Sequence, residues 1–224
     1  MNKIKTFFVV ALILTVTLIS YHYIQRYINQ NKVLRKVIAR LEADSRIAEV
    51  LVTGVNYNEN ENKLYTTIKF LEYDVDGNPL EPKYFTFSGN IIQFQSLVIR
   101  FDDIHVKAGD ALKGKSAFLF WKVFMLDGSN TQEYEITHID KVPQGYKVDE
   151  TGSAFERKLW KKFWEYALNP KKGESMGIKN AQVEAPGTMF VPGIVYTIKI
   201  EHDGGLRIDT FAIPEVLKGE SIWK

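Results

Sequence analysis

No cysteine occurs in this chain of 224 residues. That absence excludes disulfide bridges, thiolate nucleophiles, thiolate metal sites and lipid attachment through an N-terminal cysteine. Histidine is scarce as well, with four copies. A catalytic zinc needs three protein ligands converging on one point, and no spacing of His22, His105, His138 and His202 fits that requirement. Charge of one sign is also lacking. The formal net charge is +2, so no overall field draws the chain to nucleic acid. The G-x-S-x-G, Walker A and G-x-G-x-x-G signatures are missing, and there is no internal repeat or low-complexity tract. From sequence, no catalytic residue, no cofactor and no metal ligand is assigned.

One stretch lacks charge altogether. Thr6–Gln25, TFFVVALILTVTLISYHYIQ, contains no Lys, Arg, Asp or Glu. A hydrocarbon core roughly 30 Å thick is crossed by ~20 apolar residues in a helix. Thr15, Thr17 and Ser20 are its main polar residues, and their hydroxyls can bond back to the helix's own carbonyls. Tyr21 and Tyr23 stand where an interfacial aromatic belt is expected. A cleaved signal peptide is the competing reading, but its cleavage site wants small residues, and Leu18-Ile19-Ser20-Tyr21-His22 supplies few. Residues 1–25 are therefore read as an uncleaved anchor in a lipid bilayer. The flanking cations give conflicting orientation cues: Lys3 and Lys5 precede the span, and Arg26, Lys32, Arg35, Lys36 and Arg40 follow it. The short basic N-tail resembles a signal anchor, which places the C-terminal bulk on the extracytoplasmic side of the cell membrane.

Residues 26–48 continue as a juxtamembrane helix. Ile24, Tyr27, Asn31, Leu34, Ile38, Leu41, Ser45 and Ala48 recur in steps of three and four, the a/d spacing of a short coiled coil. Asn31 at an a position fixes register at some cost in stability. Asn31, Leu34, Ile38 and Leu41 are thus the candidate self-association residues, with a dimer through residues 24–48 as the expected form. Val33, Val37 and Ile47 widen the stripe, as in a helix that packs on its own domain instead. The basic residues nearest the span also suit anionic headgroups.

From Glu49 the apolar period becomes two. Strands are expected over 49–56, 63–75, 83–87, 91–101, 116–126, 131–140, 195–201 and 206–213, with turn signals between most of them. Asp76-Gly77 signals a type I′ hairpin. Pro186-Gly187 and Pro192-Gly193 suit type II turns. Ser116–Leu126, SAFLFWKVFML, is too short to span as a helix and reads as a strand buried on both faces. Ser153–Leu168 is an amphipathic helix with Ser153 and Glu156 as a capping box. Its face of Phe155, Leu159, Trp160, Phe163, Trp164 and Tyr166 is read first as core laid over a sheet. The same face, with four basic residues beside it, also suits a membrane surface or a partner groove, in which case Trp160 and Trp164 carry the interaction. Asp102, Asp103, His105 and Asp110 form the densest polar cluster, ordinary for a loop. Asp74–Asn78 begins like a calcium loop but lacks its glutamate.

The expected fold is mainly β, an antiparallel sandwich or barrel-like domain over residues 49–218 with one amphipathic helix and a short tail at 219–224. The expected function is that of a non-enzymatic anchored protein whose domain binds a protein partner or joins an envelope assembly. An anchored hydrolase acting on a glycan or other envelope substrate and a ligand-sensing domain are the alternatives. The paired-helix expectation makes a direct prediction: Asn31→Val raises the crosslinked dimer fraction of the detergent-solubilised protein, and an unchanged fraction refutes the seam.

Overall fold

The computed structural model describes residues 2–41, 46–74, 76–101, 116–127, 130–148, 154–169, 171–172, 178–184, 187–200 and 205–214. The first element, α1 (Asn2–Leu41), is one continuous helix of 40 residues. Within it, Phe7–Gln30 is long and apolar enough to cross a membrane, and its most apolar window is unburied. The hydroxyls of Thr15 and Thr17 donate to the carbonyls of Ala11 and Ile13 at 2.9 and 2.8 Å, so these two are satisfied within the helix. Asn31, Leu34, Ile38 and Leu41 fall on the last turns of α1, and their side chains lie outside the described residues. Ser45 lies outside them as well.

The remainder is mainly β. Ten strands are described: β1 (Arg46–Asn58), β2 (Lys63–Glu72), β3 (Lys83–Phe87), β4 (Ile91–Phe101), β5 (Ser116–Asp127), β6 (Asn130–Glu135), β7 (Ile178–Glu184), β8 (Gly187–Met189), β9 (Ile194–Ile200) and β10 (Leu206–Ala212). A second helix, α2 (Ala154–Leu168), lies between β6 and β7. Every strand pair is antiparallel, as hairpins and short returns dictate. The first sheet runs β10-β9-β1-β2-β3. The second runs β6-β5-β4-β7, with β8 also on β4.

The two sheets share one apolar core. Ala48, Val50 and Val52 of β1, Ile68 and Phe70 of β2 and Ile198 and Ile200 of β9 meet Phe94 and Val98 of β4 and Phe118, Phe120 and Val123 of β5. Phe70 shows the contact most directly. Its ring stacks on Phe94 at 5.7 Å and meets Phe120 edge-on at 5.5 Å, joining a strand of one sheet to two of the other. A second core lies on the other side of β4 and β5. There Leu97, Ile99, Ala117 and Leu119 pack on Tyr146, Trp160, Phe163, Trp164 and Ala167. β5 thus has apolar partners on both faces, as its composition predicts.

A bulge makes this double burial possible. The β4–β5 register skips Trp121 between the pairs Gln95↔Lys122 and Ser96↔Phe120. Before the bulge the even residues Phe118 and Phe120 face the shared core, and after it the odd residues Val123 and Met125 do. β6 pairs with β5 only from Lys122 to Asp127, which leaves the first half of β5 with an open edge. The chain leaving β6 closes it. Ile136 and Thr137 N–H both donate to the Trp121 carbonyl, at 2.8 and 3.1 Å. The Thr137 hydroxyl donates to Phe120 O at 2.6 Å. The buried Tyr146 hydroxyl donates to Phe118 O at 3.0 Å and accepts from Phe118 N–H at 3.1 Å.

Several local expectations change. Arg46–Ala48 belong to β1 and not to a helix: the alternation that buries Val50 and Val52 begins at Ala48, which is opposite Ile198 and Glu72. The return strand expected over 131–140 stops at Glu135 because the next N–H groups turn to the Trp121 bulge. Asp76 does not take a left-handed conformation, so the turn is not type I′. The Asp74 carboxylate accepts from the N–H groups of Asp76 and Asn78 at 2.9 and 2.8 Å, and Gly77 alone has positive φ, at 80°. Gly193 has φ 83°, as a type II turn requires, whereas Gly187 does not have positive φ and opens β8. Strands β7 and β8 had no clear signal in the sequence. Ser153 lies outside the described residues, and the Glu156 carboxylate accepts from Val148 N–H at 2.9 Å.

Two predictions follow from this packing. Tyr146→Phe leaves a buried N–H and C=O of Phe118 without the hydroxyl, which costs about 1–3 kcal/mol. The urea midpoint in detergent falls accordingly, and an unchanged midpoint refutes the clamp. Removal of residues 1–45 leaves a soluble, mostly β protein. Removal of 1–48 also deletes three rungs of β1 and lowers the melting temperature followed by circular dichroism. A strongly helical spectrum for either product contradicts the fold.

Candidate functional site

Three surfaces carry unusual chemistry. The first is the outer face of the first sheet. Register places Tyr84, Lys69, Leu51, Val195 and Phe211 in one row across β3, β2, β1, β9 and β10. Tyr84 and Phe211, at the two ends, are each 59 % exposed. In the neighbouring region the Tyr73 hydroxyl donates to the Glu49 carboxylate at 2.8 Å. Burial first, and then the hydrogen bond and charge of Glu49, push this phenol up to about 12. The outer face of the second sheet is different, since α2 covers it at β4 and β5.

The second surface is a cleft of about 580 Å³ between the end of β2, the start of β3 and the segment after β6. Glu72, Lys83, His138, Asp140, Lys141, Lys147 and Arg157 are its charged or titratable lining among the described residues. The half-buried Lys83 donates to the Ile136 carbonyl. Burial draws its amine below the usual lysine range, with Glu72 and Glu81 opposing that shift. His138 Nδ1 lies 2.7 Å from Glu135 Oε2 on an exposed part of the chain, and Asp140 has φ 62°. Glu72, His138 and Asp140 line the same cleft without converging: among the described residues no three acids or histidines are placed to hold a metal ion. Sequence reasoning did not single out Lys83. Its burial depends on where Ile136 leaves the strand, and no local pattern encodes that.

The third surface lies between the two helices. The stretch His22–Gln30 of α1 and the stretch Ala154–Lys162 of α2 face each other across a cleft of about 760 Å³. Arg26, Lys158 and Lys162 are its cations. Lys172, beyond the end of α2, reaches back to Glu165 on its last turn, Nζ to Oε1 at 2.5 Å. This pairing holds the Glu165 carboxyl below its usual range and the Lys172 amine above its own.

The structure separates the residues named from sequence. Trp160 and Trp164 are 2 % and 0 % exposed in the layer between α2 and the second sheet, and Trp164 Nε1 donates to Lys141 O at 2.8 Å. Their face of α2 is core, and the surface of this helix is its basic side. Asp102, Asp103, His105, Asp110 and His202 lie outside the described residues. Comparison with protein-family models, with curated proteins and with solved structures finds no match to this chain.

Proposed function

We propose that this chain is a single-pass membrane protein in which Phe7–Gln30 spans the bilayer and the β-rich part, an antiparallel sandwich, works as a non-enzymatic binding module on the extracytoplasmic side. In this reading the outer face of the first sheet binds a protein partner or joins an envelope assembly, and the last turns of α1 contribute self-association through Asn31, Leu34, Ile38 and Leu41. One observation carries it: α2 covers the outer face of β4 and β5 in the second sheet, while the first presents a five-residue row with exposed aromatic rings at both ends. Aromatic residues on an uncovered sheet face have the composition of an interaction surface, where they supply large contact area at small entropic cost.

The charged cleft favours a second reading, an anchored hydrolase of an envelope substrate, because a lysine with a lowered pKa is a better proton acceptor at neutral pH than an ordinary one. Affinity purification from native membranes separates the two. The binding module predicts a stoichiometric partner that is lost on Tyr84→Glu combined with Phe211→Glu, with the circular dichroism spectrum unchanged. A lone monomer or homodimer, or a partner retained by the double variant, refutes the sheet face. Turnover of an envelope substrate that disappears in Lys83→Met supports the hydrolase instead.

A further inference from the structure

The cationic side of α2 meets α1 where the uncharged run of α1 ends. No charged residue lies between Lys5 and Arg26. The 20 residues between them rise ~30 Å, the thickness of a hydrocarbon core, so Arg26 falls at the start of the headgroup layer. Arg26 shares the cleft between the helices with Lys158 and Lys162, both exposed on α2. Among the described residues no Asp or Glu lines this cleft and none of the three cations forms an ion pair with a carboxylate, although the charge of Lys162 reaches Glu165 one turn on. Gln25, Asn29 and Gln30 add amide donors on the α1 side. Half-buried Phe155 and Leu159 supply an apolar wall beside them.

We propose that this cleft binds the phosphate-bearing headgroup of an anionic phospholipid, and that the bound lipid fastens the β-rich part to the membrane surface. The inference rests on the membrane-spanning reading of α1. Three cations that line one cleft, with no carboxylate among its described lining, suit a phosphate group, and amide donors suit the remaining phosphate and glycerol oxygens. The position at the end of a span favours a lipid over a dissolved anion, since the bilayer itself delivers the headgroup to this depth. The apolar wall of Phe155 and Leu159 suits the start of an acyl chain. Near an anionic surface each Lys or Arg strengthens attraction by roughly fivefold. Loss of two cations from a shared site therefore weakens retention by more than about tenfold.

The test uses full-length protein in nanodiscs of equal phosphatidylglycerol and phosphatidylcholine, released and weighed by native mass spectrometry. The wild type is expected to keep phosphatidylglycerol in preference to phosphatidylcholine. Lys158→Gln combined with Lys162→Gln abolishes that preference, as does Arg26→Gln. Lys161→Gln combined with Lys171→Gln, which removes the same charge from exposed positions outside the cleft, leaves it intact. Equal loss in both double variants means diffuse attraction and overturns the site. Displacement of the lipid by excess inorganic phosphate means a free-anion site and overturns the lipid assignment. Alkaline carbonate extraction of native membranes isolates the premise: release into the supernatant overturns both readings, whereas retention in the pellet with equal amounts of the two lipids overturns the headgroup site alone.

Discussion

The arrangement of this protein depends on one unpaired stretch of backbone. β5, like β4, has apolar partners on both faces, yet β6 covers only its second half. A buried N–H and C=O at Phe118 must find partners or cost free energy comparable to a lost hydrogen bond. The Tyr146 hydroxyl serves both, 28 residues further along the chain. Thr137 and the backbone of Ile136 and Thr137 serve the neighbouring carbonyls of Phe120 and Trp121. The segment after β6 therefore takes the place of a strand without being one. Its course then sets where α2 begins, because Glu156 accepts from Val148 N–H and Trp164 donates to Lys141 O.

That constraint fixes which surfaces remain open. Once α2 is tied across the outer face of β4 and β5, these strands are covered on both sides, while the first sheet keeps an outer face that α2 does not reach. The uncovered face keeps its register-aligned row of Tyr84, Lys69, Leu51, Val195 and Phe211. The same tie brings the start of α2 beside His22–Gln30 of α1, creating a cleft that neither helix has alone. The segment after β6 also forms one wall of the charged cleft, where its Ile136 carbonyl takes the Lys83 amine. All three candidate surfaces are consequences of how the open edge of β5 is closed.

Legibility in the sequence follows the range of each signal. The apolar run of α1 as a long helix, the amphipathic pattern of α2 and the two-faced burial of β5 are written in local composition, and all three elements form. Turn chemistry was legible where a glycine must take positive φ, at Gly77 and Gly193. It was not legible at Asp76, where the side chain of Asp74 supplies the turn through hydrogen bonds instead. β8 is only three residues long and is held by β4, so its existence depends on a distant partner. The bulge at Trp121 is likewise invisible as periodicity, because it shows itself only as a shift of parity between Phe120 and Val123. None of the three candidate surfaces was legible, since each joins segments far apart in the chain.

The two sides of α2 answer different demands, and together they explain its composition better than either does alone. Trp160, Phe163, Trp164 and Ala167 are consumed by the second core, which a helix laid on a sheet requires. That demand says nothing about the opposite side, where any soluble residue suffices. Yet that side carries Arg157, Lys158, Lys161 and Lys162, with Glu165 the one acid among its exposed residues. Solubility alone is met by mixed charges. A helix held beside the exit of a membrane span meets a different environment, in which positive charge is attracted and negative charge repelled by anionic headgroups. Glu165 does not line the cleft and pairs with Lys172, with Lys161 and Lys162 adding to the positive charge around it. The aromatic side anchors α2 to the β-rich part, and Lys158 and Lys162 of the basic side face α1; in the proposed reading of α1 as a span, one short helix thereby couples the fold to the membrane.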